Sequence, residues 1–335
     1  MKILITGSAG FIGSALSIKL LDKGHEVVGI DNHNNYYDVS LKDTRLKRHL
    51  DHPNYKHIRI GIENREGIEK IFRNEIFDVV VNLAAQPGVR YSIKNPTTYI
   101  DSNLVGFANI LEGCRHNNVK HLIYASSSSV YGLNSKMPFS AHDGTNHPVS
   151  LYAATKKANE LMAHAYSNLY KLPTTGLRFF TVYGPYSRPD MALQKFAKAI
   201  MNDESIDIYN HGNHLRDFTY IDDVIEGIWK VLQKPALSNS DWNSKKPDPA
   251  TSVAPYRIYN IGSNNPLNLM DYIKVLENTL DKKAKKNFLD LQPGDVINTY
   301  AQINDFVNEF EYKPLTSIED GIAKFSSWFK EYYNK

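Results

Sequence analysis

Tyr152 and Lys156 form the pattern Tyr-x-x-x-Lys, and Ser127 lies 25 residues before the tyrosine. Four residues of helix bring the phenol and the ammonium to one face. A tyrosine so placed is suited to take the proton of a carbinol hydroxyl while the carbon beneath loses a hydride. Free tyrosine titrates near 10, and bringing it to about 7 takes roughly 4 kcal/mol. A neighbouring ammonium favours the phenolate and supplies part of that shift. Ser127, at the end of a short apolar run, is expected to hydrogen-bond the reacting oxygen. Without the serine, Tyr-x-x-x-Lys reads as an ordinary surface pair.

A hydride needs an acceptor, and the N-terminus offers a place for one. Thr6-Gly7-Ser8-Ala9-Gly10-Phe11-Ile12-Gly13 joins an apolar run to a helical pattern. Glycine lets a backbone approach a diphosphate seated on the N-terminus of a helix. The spacing is Gly-x-x-Gly-x-x-Gly, not the commoner Gly-x-Gly-x-x-Gly. Asp31 ends the next run, 18 residues beyond Gly13. Its carboxylate can accept hydrogen bonds from ribose hydroxyls and would repel a 2′-phosphate, so NAD is expected over NADP. The same residue also suits a plain strand-end turn, since Asp31-Asn32-His33-Asn34-Asn35 is loop-like. The contacts expected here are Gly7, Gly10, Phe11, Ile12, Gly13, Asp31 and Asn32. A positive nicotinamide ring would add to the pull on the Tyr152 proton, and Lys156 would hold its ribose.

The elements that must position these residues alternate along the first half. Short apolar runs occur at Lys2–Thr6, Glu26–Asp31, Lys56–Ile60, Asp78–Leu83, His121–Ala125 and Thr174–Phe179. Continuous apolar runs suit strands covered on both faces, hence a parallel sheet with crossover helices. Helices are expected at Phe11–Leu21, Tyr99–Cys114 and Leu151–Tyr170. Beyond Gly184 the elements shorten, and Pro235–Pro255 reads as a long polar loop. The expectation is an α/β protein: a Rossmann-type doubly wound parallel sheet over 1–180, then a smaller mixed α/β lobe over 181–335. The chain should cross between the two more than once.

Composition limits the partners. With 335 residues, 42% apolar, 22% charged and a net charge of +3, the chain is an ordinary globular one, and no basic block is long enough for nucleic acid. Lys282–Lys286 reads as a solvated helix end or turn. The single cysteine, Cys114, allows no intramolecular disulfide and is expected to be a buried, inert thiol. No metal site is expected. The opening run leads straight into the Gly-rich turn, without a signal peptide, and no apolar stretch approaches the roughly 20 residues of a membrane span. A cytoplasmic location is expected.

Taken together, these motifs resemble the extended short-chain dehydrogenase/reductase family, and the chain is most similar to its UDP-glucuronate 4-epimerases. The similarity runs through Asn82-Leu83-Ala84-Ala85-Gln86-Pro87-Gly88-Val89-Arg90-Tyr91-Ser92, Tyr124–Gly132, His147–Lys157 and Arg178–Pro185. It continues through Arg188-Pro189-Asp190-Met191-Ala192, Arg216–Asp223, the loop motif Ala254-Pro255-Tyr256-Arg257, and Gln292-Pro293-Gly294-Asp295. The resemblance implies that Ile62, Ala84, Ala85, Gln86, Asn103 and Phe179 line the NAD site. It implies that Arg90 and Arg216 serve the substrate, Arg216 meeting its diphosphate. Asp295 is implied to meet the uridine ribose, and Arg188 the nucleotide or a closing loop. In one place this chain departs from its relatives: where they usually carry an acidic residue near the adenine, it has Gly61.

Related 4,6-dehydratases need an Asp-Glu pair just after the catalytic hydroxyl, and related decarboxylases usually carry a Glu there. This chain has Ser128 and Ser129, which cannot act as an acid/base pair, so elimination is disfavoured. Those hydroxyls, with Thr181, are suited to hold a C6 carboxylate and so restrain loss of carbon dioxide from a 4-keto uronate. The expected reaction is C4 epimerisation of a UDP-sugar, foremost UDP-glucuronate to UDP-galacturonate. Alternatives are a 4-epimerase of UDP-glucose or UDP-N-acetylglucosamine and, in another class, a non-catalytic NAD-binding regulator. Regulators of this fold tend to lose the Tyr or the Lys, and both are present. By the same resemblance the chain should pair as a homodimer through Tyr99–Cys114 and Leu151–Tyr170, and supply precursors for polysaccharide or surface glycans.

Overall fold

Each of the six apolar runs forms a strand in the computed structural model, which describes residues 1–292 and 296–334. The strands are β1 (Lys2–Thr6), β2 (Glu26–Asp31), β3 (Tyr55–Arg59), β4 (Val79–Asn82), β5 (His121–Ser127) and β6 (Thr174–Phe179). Then come β7 (Thr181–Tyr183), β8 (Ser205–Tyr209), β9 (Leu215–Tyr220), β10 (Tyr256–Ile261), β11 (Pro266–Asn268) and β12 (Lys285–Leu289). The large sheet has the order β3-β2-β1-β4-β5-β6-β10, with every neighbouring pair parallel. The order in which strands are added reverses between β1 and β4, where doubly wound sheets open a crevice for ligands.

Successive side chains of a strand point to opposite faces, which explains why the runs are apolar throughout. Ile3 and Ile5 pack with Leu16, Leu20, Val224, Ile228 and Phe325, from helices Phe11–Asp22, Ile221–Leu232 and Ile318–Tyr333. Leu4, Val28 and Val80 face the other way, onto Ile68, Phe72, Phe107 and Leu111 of helices Arg65–Asn74 and Gly106–His116. Helix Leu151–Tyr170 covers the same face and has the bounds expected from sequence. The smaller lobe holds a three-stranded sheet, β11-β9-β7, and the parallel pair β12-β8.

The structure differs from the sequence reading in three places. The segment expected as one helix, Tyr99–Cys114, is a short turn of helix at Pro96–Tyr99, a π-helical turn at Ile100–Val105 and helix Gly106–His116. Widened turns of this kind recur at functional sites, and this one carries Asn103. Second, Tyr256 and Arg257 belong to a strand and not to a loop motif. β10 pairs with β6, so the boundary near residue 180 divides the chain but not the sheet. Third, β5 runs two residues further than expected, to Ser127, which makes the serine the last residue of the strand. Lys282 ion-pairs with Asp203, and Lys283 and Lys286 with Glu277, where β12 begins. No helix among the described residues is long and apolar enough to cross a membrane.

Candidate active site

A single cleft runs along the C-terminal ends of β5, β4, β1, β2 and β3. At one end lie Ser127, Tyr152, Lys156, Phe179 and Arg188. The Gly-rich turn and Ala84-Ala85 lie in the middle, with Asp31, Asn32, Lys42 and Gly61–Glu63 at the other end.

The catalytic pair is placed by the start of its helix. The Ser150 side chain caps it, accepting from the Ala153 amide at 3.1 Å. Tyr152 therefore stands in the first turn and Lys156 one turn further along. A buried network locks this helix to the sheet. Glu160 accepts from Arg178 Nε of β6 at 2.8 Å, from Arg178 Nη2 at 3.0 Å and from Ser126 Oγ of β5 at 2.7 Å. Both charged side chains are fully buried. Burial alone would raise the Glu160 carboxyl, but the Arg178 guanidinium brings it down to about 2. Asn159, one residue earlier, donates to the Asn103 carbonyl at 2.6 Å.

Electrostatics at the reacting end depart from expectation. The Lys156 ammonium donates to the Ala125 carbonyl at 2.9 Å, and burial brings the lysine down to about 8. Burial likewise raises the Tyr152 phenol above its ordinary value, while the Ser127 hydroxyl and the Arg188 guanidinium pull it back. The protein by itself therefore keeps the phenol protonated, because loss of solvation outweighs the nearby cations. The Arg188 guanidinium grips Asp190 through Nε and Nη2, both at 2.9 Å, and Tyr36 donates to the same carboxylate at 3.1 Å. The Arg188 guanidinium thus lies within electrostatic reach of Tyr152.

The glycine turn fits a dinucleotide. Gly7 has φ +72°, and a β-carbon there would lie 2.9 Å from the Ala84 amide nitrogen; one at Gly13 would lie 2.2 Å from the Gly7 carbonyl oxygen. Helix Phe11–Asp22 is capped by Gly10 without a side-chain hydrogen bond, so its first amides face the cleft ready for an anion. The Asp31 carboxylate accepts from the amides of Ala9 and His33 at 3.2 and 2.8 Å, and Lys42 Nζ lies 3.6 Å away.

The other residues singled out from sequence fall into two groups. Gly7, Gly10, Phe11, Ile12, Gly13, Asp31, Asn32, Ile62, Ala84, Ala85 and Phe179 all line the cleft. Gln86 and Asn103 are buried behind its wall. Asn103 Oδ1 accepts from the Gln86 amide at 2.8 Å, and its Nδ2 donates to Thr155 and to the Gln86 carbonyl. Asn103 therefore joins the β4 loop to helix Leu151–Tyr170, because the π-helical turn aims its side chain inward. Ser128 and Ser129 are half-buried just past Ser127, and Thr181 sits between the lining residues Phe180 and Val182. Arg90 stacks over Tyr209 of the smaller lobe, and Arg216 donates to the Val296 and Ile297 carbonyls. Asp295 lies outside the described residues. Sequence reading missed Lys42 and Tyr36. Lys42 and Arg45 sit with Leu41 and Leu46 on the buried face of helix Val39–Lys47, and cations on an apolar face are a legible signal.

The model of the NAD dependent epimerase/dehydratase family matches residues 3–262. The chain belongs to this family. Family members similar along the whole length include Protein CapI of Staphylococcus aureus, 59% identical over all of both chains. A probable UDP-glucuronate 4-epimerase of Rhizobium meliloti is 44% identical, over 100% of this chain and 98% of that one. Among solved structures, UDP-glucuronic acid 4-epimerase from Bacillus cereus, in complex with UDP-glucuronic acid and NAD, superposes with a TM-score of 0.88. It is 35% identical, and the match covers 99% of this chain and 100% of that one.

Proposed function

We propose that this chain is an NAD-dependent UDP-sugar 4-epimerase that interconverts UDP-glucuronate and UDP-galacturonate. The observation that carries the reading is the meeting of Tyr152, Ser127 and Arg188 at one end of a cleft whose middle is a dinucleotide cradle. The glycine turn and Asp31 would hold the diphosphate and adenosine ribose of NAD, with Lys156 at the other ribose. Bound there, NAD supplies reversible hydride acceptance at the sugar C4 and is regenerated in each cycle.

The chain's own residues do the rest. Tyr152, which would become the phenolate only with the positive charge of bound NAD added to the pull of Ser127 and Arg188, accepts the C4 hydroxyl proton and later returns it, and Ser127 hydrogen-bonds the same oxygen. The sugar, tethered by its diphosphate, turns over between the two half-reactions, so that C4 is inverted. Arg188, oriented by Asp190, provides a half-buried cation for the C6 carboxylate, with the hydroxyls of Ser128, Ser129 and Thr181 as further partners. A carboxylate β to a ketone leaves as carbon dioxide when its bond aligns with the carbonyl π system, and a held carboxylate does not reach that alignment. Arg90 and Arg216 are assigned to the substrate's nucleotide side, with Asp295 at the uridine ribose.

In this reading the protein acts in the cytoplasm as a homodimer, paired through helices Gly106–His116 and Leu151–Tyr170. The exposure of Leu161 (61%) and Leu169 (66%) supports that face.

The test is product analysis by NMR after incubation with UDP-glucuronate and no added NAD. UDP-galacturonate is expected. Parallel incubations with UDP-glucose and UDP-N-acetylglucosamine give the contrary outcome: turnover of the neutral sugars alone overturns the assignment.

A further inference from the structure

The far end of the cleft is built unusually. β1, β2 and β3 lie side by side, and neighbouring strands are about 4.8 Å apart. The glycine turn follows β1, Asp31 ends β2, and Gly61–Glu63 follow β3. A dinucleotide with its diphosphate at the first of these and a ribose at the second must lay its purine against the third. The backbone there is fixed: Ile60 N donates to the Asp31 carbonyl at 3.0 Å, Asn64 N to the Gly61 carbonyl at 3.1 Å and Asn109 Nδ2 to the Ile62 carbonyl at 2.9 Å. Ile60, Gly61 and Ile62 present no side-chain acceptor to an exocyclic amine. Glu63 does, and its carboxylate lies over Gly61: a β-carbon at 61 would be 2.1 Å from Glu63 Oε1 and 2.5 Å from its carboxyl carbon. Side chains at 61 and 63 cannot both occupy that space. With no side chain at 61, the exposed Glu63 carboxylate lies over that position and toward the cleft, whose wall it joins.

We propose that Glu63 is the residue of this chain that recognises the 6-amino group of the adenine, its carboxylate standing where a side chain at 61 would otherwise be. The proposal rests on the dinucleotide reading above and adds to it the base specificity and the residue responsible.

The test compares NAD with nicotinamide hypoxanthine dinucleotide, in which a carbonyl replaces the 6-amino group. Dissociation constants are measured by calorimetry on protein stripped of bound nucleotide. The unmodified protein is expected to prefer NAD by about tenfold, the low end for a hydrogen bond to a charged group. Glu63→Ala should erase that preference. Gly61→Asp in the Glu63→Ala background should restore it, because the vacated space then receives a carboxylate from the other position. Circular dichroism melts show whether each variant is folded. An undiminished preference in Glu63→Ala, or no recovery in the double variant, overturns the proposal while leaving the functional reading intact. Failure of the unmodified protein to bind either dinucleotide overturns both.

Discussion

Replacing Glu160 with glutamine leaves the Arg178 guanidinium charged at a point that water does not reach. Both side chains are fully buried, and the carboxylate takes two hydrogen bonds from the guanidinium, one from Ser126 and one from the Lys157 ammonium at 3.1 Å. The glutamine amide offers one acceptor oxygen in place of two and no charge. Tyr131 Oη, 3.1 Å from Arg178 Nη1, remains the main neutral partner. Breaking a buried pair by removing one member typically costs about 3–5 kcal/mol, whereas replacing both members by apolar groups of similar size is often near neutral. Glu160→Gln and Arg178→Met should therefore each lose about 3–5 kcal/mol, and Glu160→Leu/Arg178→Met should recover most of the loss. Urea denaturation at pH 7, followed by circular dichroism at one nucleotide concentration, measures the cycle. The pair also has an acid signature. Its folded-state value of about 2 lies below the ordinary 4.5, so its contribution is present above about 4.5 and is lost as pH falls toward 2. The double variant should lack that component of acid sensitivity. Single variants that lose less than about 1 kcal/mol, or strict additivity in the double, would refute the view that this pair locks the catalytic helix to the sheet.

Four further outcomes are expected. Tyr152→Phe should lower kcat by about 10²–10⁴ while retaining bound dinucleotide, read from absorbance at 260 nm after gel filtration. Gly13→Ala should lose the dinucleotide and lower the melting temperature, since its β-carbon would be 2.2 Å from the Gly7 carbonyl oxygen. Arg188→Met should lower turnover of UDP-glucuronate relative to UDP-glucose by about tenfold or more, the worth of one charge-assisted hydrogen bond. His142 bridges Asp248 and Asp305 at 2.8 and 3.1 Å, and the Asp305 hydrogen bond leads the effects that raise it to about 9. Its contribution is complete below the ordinary value of 6.5 and fades as pH rises through 9. His142→Ala should thus lower the melting temperature at pH 6 and leave it unchanged at pH 10.

Much of the site could be read from the chain, for physical reasons. Ser127, Tyr152 and Lys156 are tied to local geometry, a strand end and one turn of helix, and local geometry follows from nearby residues. The same holds for the glycine turn, where each glycine removes a β-carbon that would strike backbone. What could not be read depends on contacts between distant segments. Asn103 turns inward because a widened helical turn aims it at Gln86 and Thr155, and no periodicity in Tyr99–Cys114 announces that turn. Arg188 comes within electrostatic reach of Tyr152 only because the loop after β7 is held by Tyr36 and Arg45, which bind its Asp190 carboxylate and its Tyr186 and Ser187 carbonyls. β10 escaped notice because an edge strand with one partner, following a long polar loop, carries a short and weak apolar signal. Glu63 was invisible for a similar reason: its meaning depends on the empty space above Gly61.

The position of β10 bears on how the molecule is made. Six parallel strands are complete once the first 180 residues have left the ribosome, but the backbone groups along the outer side of β6 then wait for a partner some 75 residues downstream. Until Tyr256–Ile261 emerges, a nascent chain bears an open sheet margin, the kind of surface to which strands from other molecules add. An insertion in the intervening stretch, which delays the arrival of β10, should first be felt as poor yield and aggregation during synthesis, before any defect in chemistry is measured.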